Sequence, residues 1–158
     1  MTLHRPFVDR EIAEHAVDLQ LPSIEAALKV SGVSGLGVLH VVVLDPAVRA
    51  PEATFEQALL CERSIGPRER WDVDYAAYAR DKARLSWTHR MDSRRLQMME
   101  PHRLSANDPL VWGGVWLDGL VVAASGAMPI WDEAFSLAIA GTLRTLAWEM
   151  AEAARHSS

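Results

Sequence analysis

The chain has 158 residues, a net charge of −5, and 49% hydrophobic against 23% charged residues, the size and composition of one globular domain spanning 1–158. The negative balance argues against a nucleic-acid backbone as partner, and a single cysteine, Cys61, rules out an internal disulfide or a Cys-based zinc cluster within one chain. No apolar run approaches the roughly 20 residues of a membrane span, and the N-terminal "MTLHRPFVDREIAEH" lacks a signal-like apolar core, so a cytoplasmic protein without membrane association is expected.

Asp9 can cap a first helix over "REIAEHAVDL", whose Ile12, Ala16 and Leu19 recur at helical spacing, and Pro22 is expected to break it. A second helix, "SIEAALKVSG", would start at Ser23 and end at Gly32. "LGVLHVVVLD" is a continuous, β-branched apolar run, the pattern of a central strand covered on both faces. His40 inside it reads as a core histidine bonded to neighbouring backbone. "TFEQALLCERSI" alternates loosely and reads as a strand, with a short helix as the alternative.

"WDVDYAAYARDKARLSWTHR" predicts a helix capped by Asp72 or Asp74, with Ala76, Ala79, Ala83 and Trp87 on one stripe. Tyr78, Lys82, Leu85 and His89 form an adjoining stripe, which on its own reads as a solvated face. "DSRRLQMMEPH" is a short helix closed before Pro101. In "VWGGVWLDGLVVAASG", Asp118-Gly119 signals a two-residue hairpin turn and sets a register: Leu117 faces Leu120, Trp116 faces Val121, Gly114 faces Ala123 and Trp112 faces Ser125. The resulting floor of Gly and Ala suits a helix lying on it or a flat ligand. A last helix from about Pro129 to Arg155 carries two apolar stripes. Ala134, Leu137, Ala138, Gly141 and Trp148 form one, and Phe135, Ile139, Leu143, Leu146 and Met150 the other; a sheet covers only one of them, so a homo-oligomer is expected.

The segment "VVAASGAMPIWDEAF" joins a strand end at Ser125-Gly126 to a helix start at Pro129. Free backbone amides at such a junction form a seat for an anion, and small residues let a ligand approach the backbone. Asp132 and Glu133 fit the helix dipole as well as they fit a ligand role.

The order of elements gives an α+β domain. "ARDKARLSW", "VWGGVWLDGLVVAASG" and "DEAFSLAIA" together resemble the GlcG/HbpS family of small haem-binding proteins, and also the C-terminal domain of PduO-type proteins. The resemblance covers roughly Leu36 to Ala154. It implies a profilin-like fold with a five-stranded antiparallel sheet flanked by helices, higher oligomers, and association with haem or a corrinoid. Lys82 with Ala83, Gly113 with Gly114, Asp118 with Gly119, Ser125 with Gly126, and Asp132 match the pattern, and Arg63 corresponds to an arginine ending the second strand. The chain departs from it where "LDPAVRAP" lacks a glycine, at Ala127, at Trp116, and in the insertion "GPRERWDVD".

A binding protein for haem or a related flat, carboxylate-bearing cofactor is therefore the leading expectation, with Arg63, Lys82, His89, Gly113, Gly114, Ser125, Gly126 and Asp132 as the candidate ligand site. Acid groups would seek Lys82, Arg63 or the helix amides; iron would seek His89, His102 or a methionine of "QMME". The alternatives are a cofactor-independent enzyme on a small carboxylate or hydroxy acid, with Lys82 or His89 as acid–base group and Asp132 as its partner, and an assembly subunit. No nucleophile elbow, phosphate loop or zinc triad occurs.

Overall fold

The computed structural model describes residues 7–157. Helix α1 (Arg10–Leu28) is followed by strand β1 (Leu39–Leu44), a one-turn helix α2 (Phe55–Ala58) and strand β2 (Leu59–Ile65). Helices α3 (Tyr75–His89) and α4 (Ser93–Met99), strands β3 (Gly114–Leu117) and β4 (Leu120–Ser125), and helix α5 (Pro129–His156) complete the chain. The sheet is antiparallel with strand order β2-β1-β4-β3. Helices α1 and α5 cover one face, where Val41, Val43, Val122 and Ala124 meet Val17, Ile24, Ile139 and Leu143. Helix α3 covers the other, packing Ala79 and Ala83 on Val42, Leu44, Val121 and Ala123. Burial of all six β1 residues follows from this central position.

The α+β layering matches the expectation, but the sheet has four strands, not five. The two expected N-terminal helices are one. Asp9 caps it, accepting from the Ile12 amide at 2.9 Å, and Pro22 lies inside it. Proline in a helix interior costs about 3 kcal/mol. Here Ile24 and Leu28 continue the buried stripe of Ala13, Ala16 and Val17, and their packing outweighs that cost. Ser23 therefore caps nothing, and the helix ends at Leu28, before Gly32. "TFEQALLCERSI" holds both alternatives in succession: a Thr54/Gln57 capping box forces one helical turn, then β2 begins.

Asp118 (φ 51°) and Gly119 (φ 92°) form the expected hairpin turn, and the pairing runs as read from Leu117↔Leu120 to Gly114↔Ala123. It stops there because Gly113, at φ 131°, turns the chain away, so Trp112 does not face Ser125. In α5, Phe135, Ile139 and Leu143 meet the sheet while Leu137 (49% exposed) and Trp148 (65% exposed) face outward.

Candidate ligand site

The structure brings Lys82, Gly113, Gly114, Ser125, Gly126 and Asp132 together as an internally paired cluster. Lys82 is 3% exposed and Asp132 2%. The Lys82 Nζ donates to Asp132 Oδ2 and to the Ala124 carbonyl oxygen, both at 3.0 Å, while Asp132 Oδ1 accepts from the Ala127 amide at 2.9 Å. The anion seat at the strand-to-helix junction is thus filled by the protein's own Asp132, one turn into α5. Burial raises the Asp132 carboxyl to about 6 against the pull of Lys82, and lowers the Lys82 ammonium against the pull of Asp132.

The glycines serve this closure. A Cβ on Gly113 would lie 2.6 Å from the Ala124 oxygen, one on Gly126 2.3 Å from the Val38 oxygen, and one on Gly114 2.5 Å from the Lys82 oxygen. The small floor therefore carries α3, not a flat ligand. Ser136 Oγ donates to the Gly113 carbonyl at 2.7 Å, and Arg94 of α4 grips Glu133 through two bonds of 2.8 and 3.1 Å.

Arg63 and His89 lie elsewhere. Arg63, on β2, pairs with Asp18 of α1 at 2.8 Å. His89, at the end of α3, lines a separate hollow of about 300 Å³ with Asp81, Arg84, Arg103 and Asp108. Burial and Arg103 lower its pKa. His40 is a core histidine, but its partners are side chains: Ser64 Oγ at 2.8 Å from Nδ1 and Glu62 Oε1 at 3.0 Å from Nε2. Arg80 holds the same carboxylate at 2.8 and 3.0 Å.

An open cleft of about 370 Å³ lies at the opposite end of the sheet from the Lys82–Asp132 pair. Its walls are the end of β1 with the loop through Ala50, the last turn of α3, and the β3–β4 hairpin. Trp87 and Trp116 supply aromatic surface. Trp87 Nε1 donates to the Val48 carbonyl at 2.8 Å, pinning the loop to α3, and Phe55 meets the same indole edge-on with centroids 6.0 Å apart. Arg49 and Arg90 stand at the rim, both exposed, and neither guanidinium has an ion pair or hydrogen bond to any described residue. Asp118, also on the rim, is held by Arg144 at 2.6 Å.

Arg90 is also conformationally costly. It ends α3 in the left-handed region, φ 54° and ψ 49°, where glycine is the usual residue and any other is strained by roughly 1 kcal/mol. Sequence reasoning did not single out Arg49, Trp87 and Arg90, which line this cleft together. An arginine where a helix needs a terminating glycine was the available signal. Which loop it would face was not.

No family model and no curated protein matches the sequence. Solved structures share the fold, among them HbpS, the PduOC:heme complex and ORFY. HbpS superposes with TM-score 0.54 at 18% identity over 90% of this chain and 94% of its own. The PduOC:heme complex gives 0.53 at 14% over 82% and 91%. The Klebsiella pneumoniae protein ORFY, of the family DUF336, gives 0.52 at 12% over 90% and 94%. The resemblance read from "VWGGVWLDGLVVAASG" thus holds at the level of the fold.

Proposed function

We propose that the protein binds a small, flat, acid-bearing organic ligand in the cleft between Trp87, Trp116, Arg49 and Arg90. The observation that carries this is a pair of uncompensated guanidiniums beside two indoles. Arginines bind carboxylate or phosphate through paired N–H donors, and indole faces take planar rings. In this reading Lys82, Gly113, Gly114, Ser125, Gly126 and Asp132 are the frame that holds α3 and α5 in place. The outer face of α5, with Leu137, Trp148 and Met150 exposed, is the surface of a homo-oligomer. Light scattering would then give a multiple of 17.5 kDa.

Haem, which PduOC holds in its complex, carries the acid groups that these arginines would bind. The cleft does not suit its iron: no His, Cys, Met or Tyr is among the lining residues. His89, two residues beyond Trp87, lines the other hollow.

Calorimetric titration with planar aromatic acids tests the reading. Binding that falls at least tenfold in both Arg49→Ala and Arg90→Ala, with unchanged circular dichroism, is expected. Binding indifferent to both substitutions would remove the cleft as the site.

A further inference from the structure

We infer, resting on the cleft reading above, that this site selects a compact, metal-free aromatic acid and recognises it through its ring and acid groups alone. Three observations converge. The cleft measures about 370 Å³, at the small end of the roughly 300–1,000 Å³ of small-molecule pockets, which suits a one- or two-ring compound better than a macrocycle. Its lining offers two cations, two indoles and the carboxylates of Asp45 and Asp118, but none of the His, Cys, Met or Tyr donors that hold haem iron. The nearest histidine in sequence, His89, is turned into a hollow whose charged lining of Asp81, Arg84, Arg103 and Asp108 holds no aromatic platform for a ring.

The polar lining defines the ligand further. Arg49 and Arg90 provide two separate anchor points, so a molecule with two acid groups, or one phosphate spanning both, engages more of the site than a monoacid. Asp45 also lines the cleft, beside Leu44, and its Oδ1 accepts from the Ala47 amide at 2.9 Å. Its other oxygen accepts no hydrogen bond from a described residue, so a ligand carrying a ring N–H has an acceptor here that a plain arene would not use. The left-handed Arg90 fits the same picture, since strain at a helix end persists where the side chain it positions has a use.

The test is a four-probe titration of the full chain by calorimetry: naphthalene-2,6-dicarboxylate, its neutral dimethanol counterpart, protoporphyrin IX and haemin. A nucleoside monophosphate added as a fifth probe separates phosphate from carboxylate. The dicarboxylate is expected to bind at least tenfold more tightly than the neutral analogue. Haemin is expected to bind no more tightly than protoporphyrin IX, with a Soret band indifferent to His89→Ala. Arg90→Gly keeps the fold, because glycine suits the left-handed position, and should weaken the dicarboxylate tenfold. Haemin binding tenfold above protoporphyrin IX, with a Soret shift lost in His89→Ala, overturns the inference while leaving a ligand-binding protein. Failure of every probe to bind overturns the cleft reading itself, and this inference with it.

Discussion

Helix α3 carries two cations about two turns apart that meet opposite fates. Lys82 reaches across the end of β4 to a carboxylate and a carbonyl oxygen and is almost fully buried. Arg90, about 12 Å along the helix axis at 1.5 Å per residue, ends in solvent beside a cleft with no partner among the described residues. A charge matched inside the protein shapes the fold; a charge left unmatched beside an apolar surface is available to something else. A positive charge in the sequence thus gives no indication of which end of the helix keeps it free.

The largest effect should come from breaking the matched end. Lys82→Ala leaves Asp132 buried without its counter-charge, and truncating one partner of a buried pair costs about 3–5 kcal/mol. Urea unfolding measures it. The pair replaced together, Lys82→Met with Asp132→Leu, should recover most of the loss, short of the Ala127 amide that Asp132 also satisfies. A single variant as stable as the parent would mean that the pair lies open to water, and the contrast between the two ends would collapse.

Gly114→Ala should follow, at about 1–3 kcal/mol, because its Cβ would stand 2.5 Å from the Lys82 oxygen and 2.7 Å from Ser86 Oγ and must push α3 off the sheet. Since Gly114 lies beneath the helix and outside the cleft lining, ligand affinity should change far less than stability. Equal losses in the two would place the ligand on the glycine floor after all.

Acid sharpens the comparison through His40, the buried neighbour of Glu62. Burial lowers its pKa below 6.5 in spite of the pull of Glu62, so the native ring stays neutral while the unfolded one takes a proton. Its contribution to stability is complete above pH 6.5 and is lost as the pH falls through the folded value. Asp132, raised to about 6 by burial, has the opposite sign: its contribution is lost as pH rises toward 6. Denaturant unfolding of the parent and of His40→Gln between pH 7 and 5 separates them. The parent should lose more stability on acidification than the variant, and parallel curves would contradict a neutral buried His40.

What was legible in the sequence was local. The Asp118-Gly119 turn, the β-branched, mostly apolar run of β1 and the start of α5 at Pro129 each carry their own cause within a few residues. The single long α1 was hidden because proline's local cost is overruled by packing of Ile24 and Leu28 on elements far along the chain. Asp132 was already readable as a partner for Lys82, but the apparently solvated stripe of Tyr78, Lys82 and His89 gave no sign that the pair, 50 positions apart, would be buried together. The cleft was hidden for the same reason, since Arg49, Trp87, Arg90 and Trp116 come from three separate segments that only the sheet brings together.

Arg90→Gly has the smallest expected effect on stability and the sharpest meaning. Glycine removes the left-handed strain, worth roughly 1 kcal/mol, and gives back part of that in unfolded-chain entropy, so the melting temperature should stay level or rise by a few degrees. The guanidinium makes no described contact that its loss would break. If Arg90 is there for a ligand, the variant should be at least as stable as the parent and bind a planar acid at least tenfold less tightly. Opposite signs in the two measurements mark a residue kept for binding at a cost to the fold. A variant that melts earlier and binds as before would make Arg90 a structural residue whose contact has yet to be found, and both ends of α3 would then serve the fold alone.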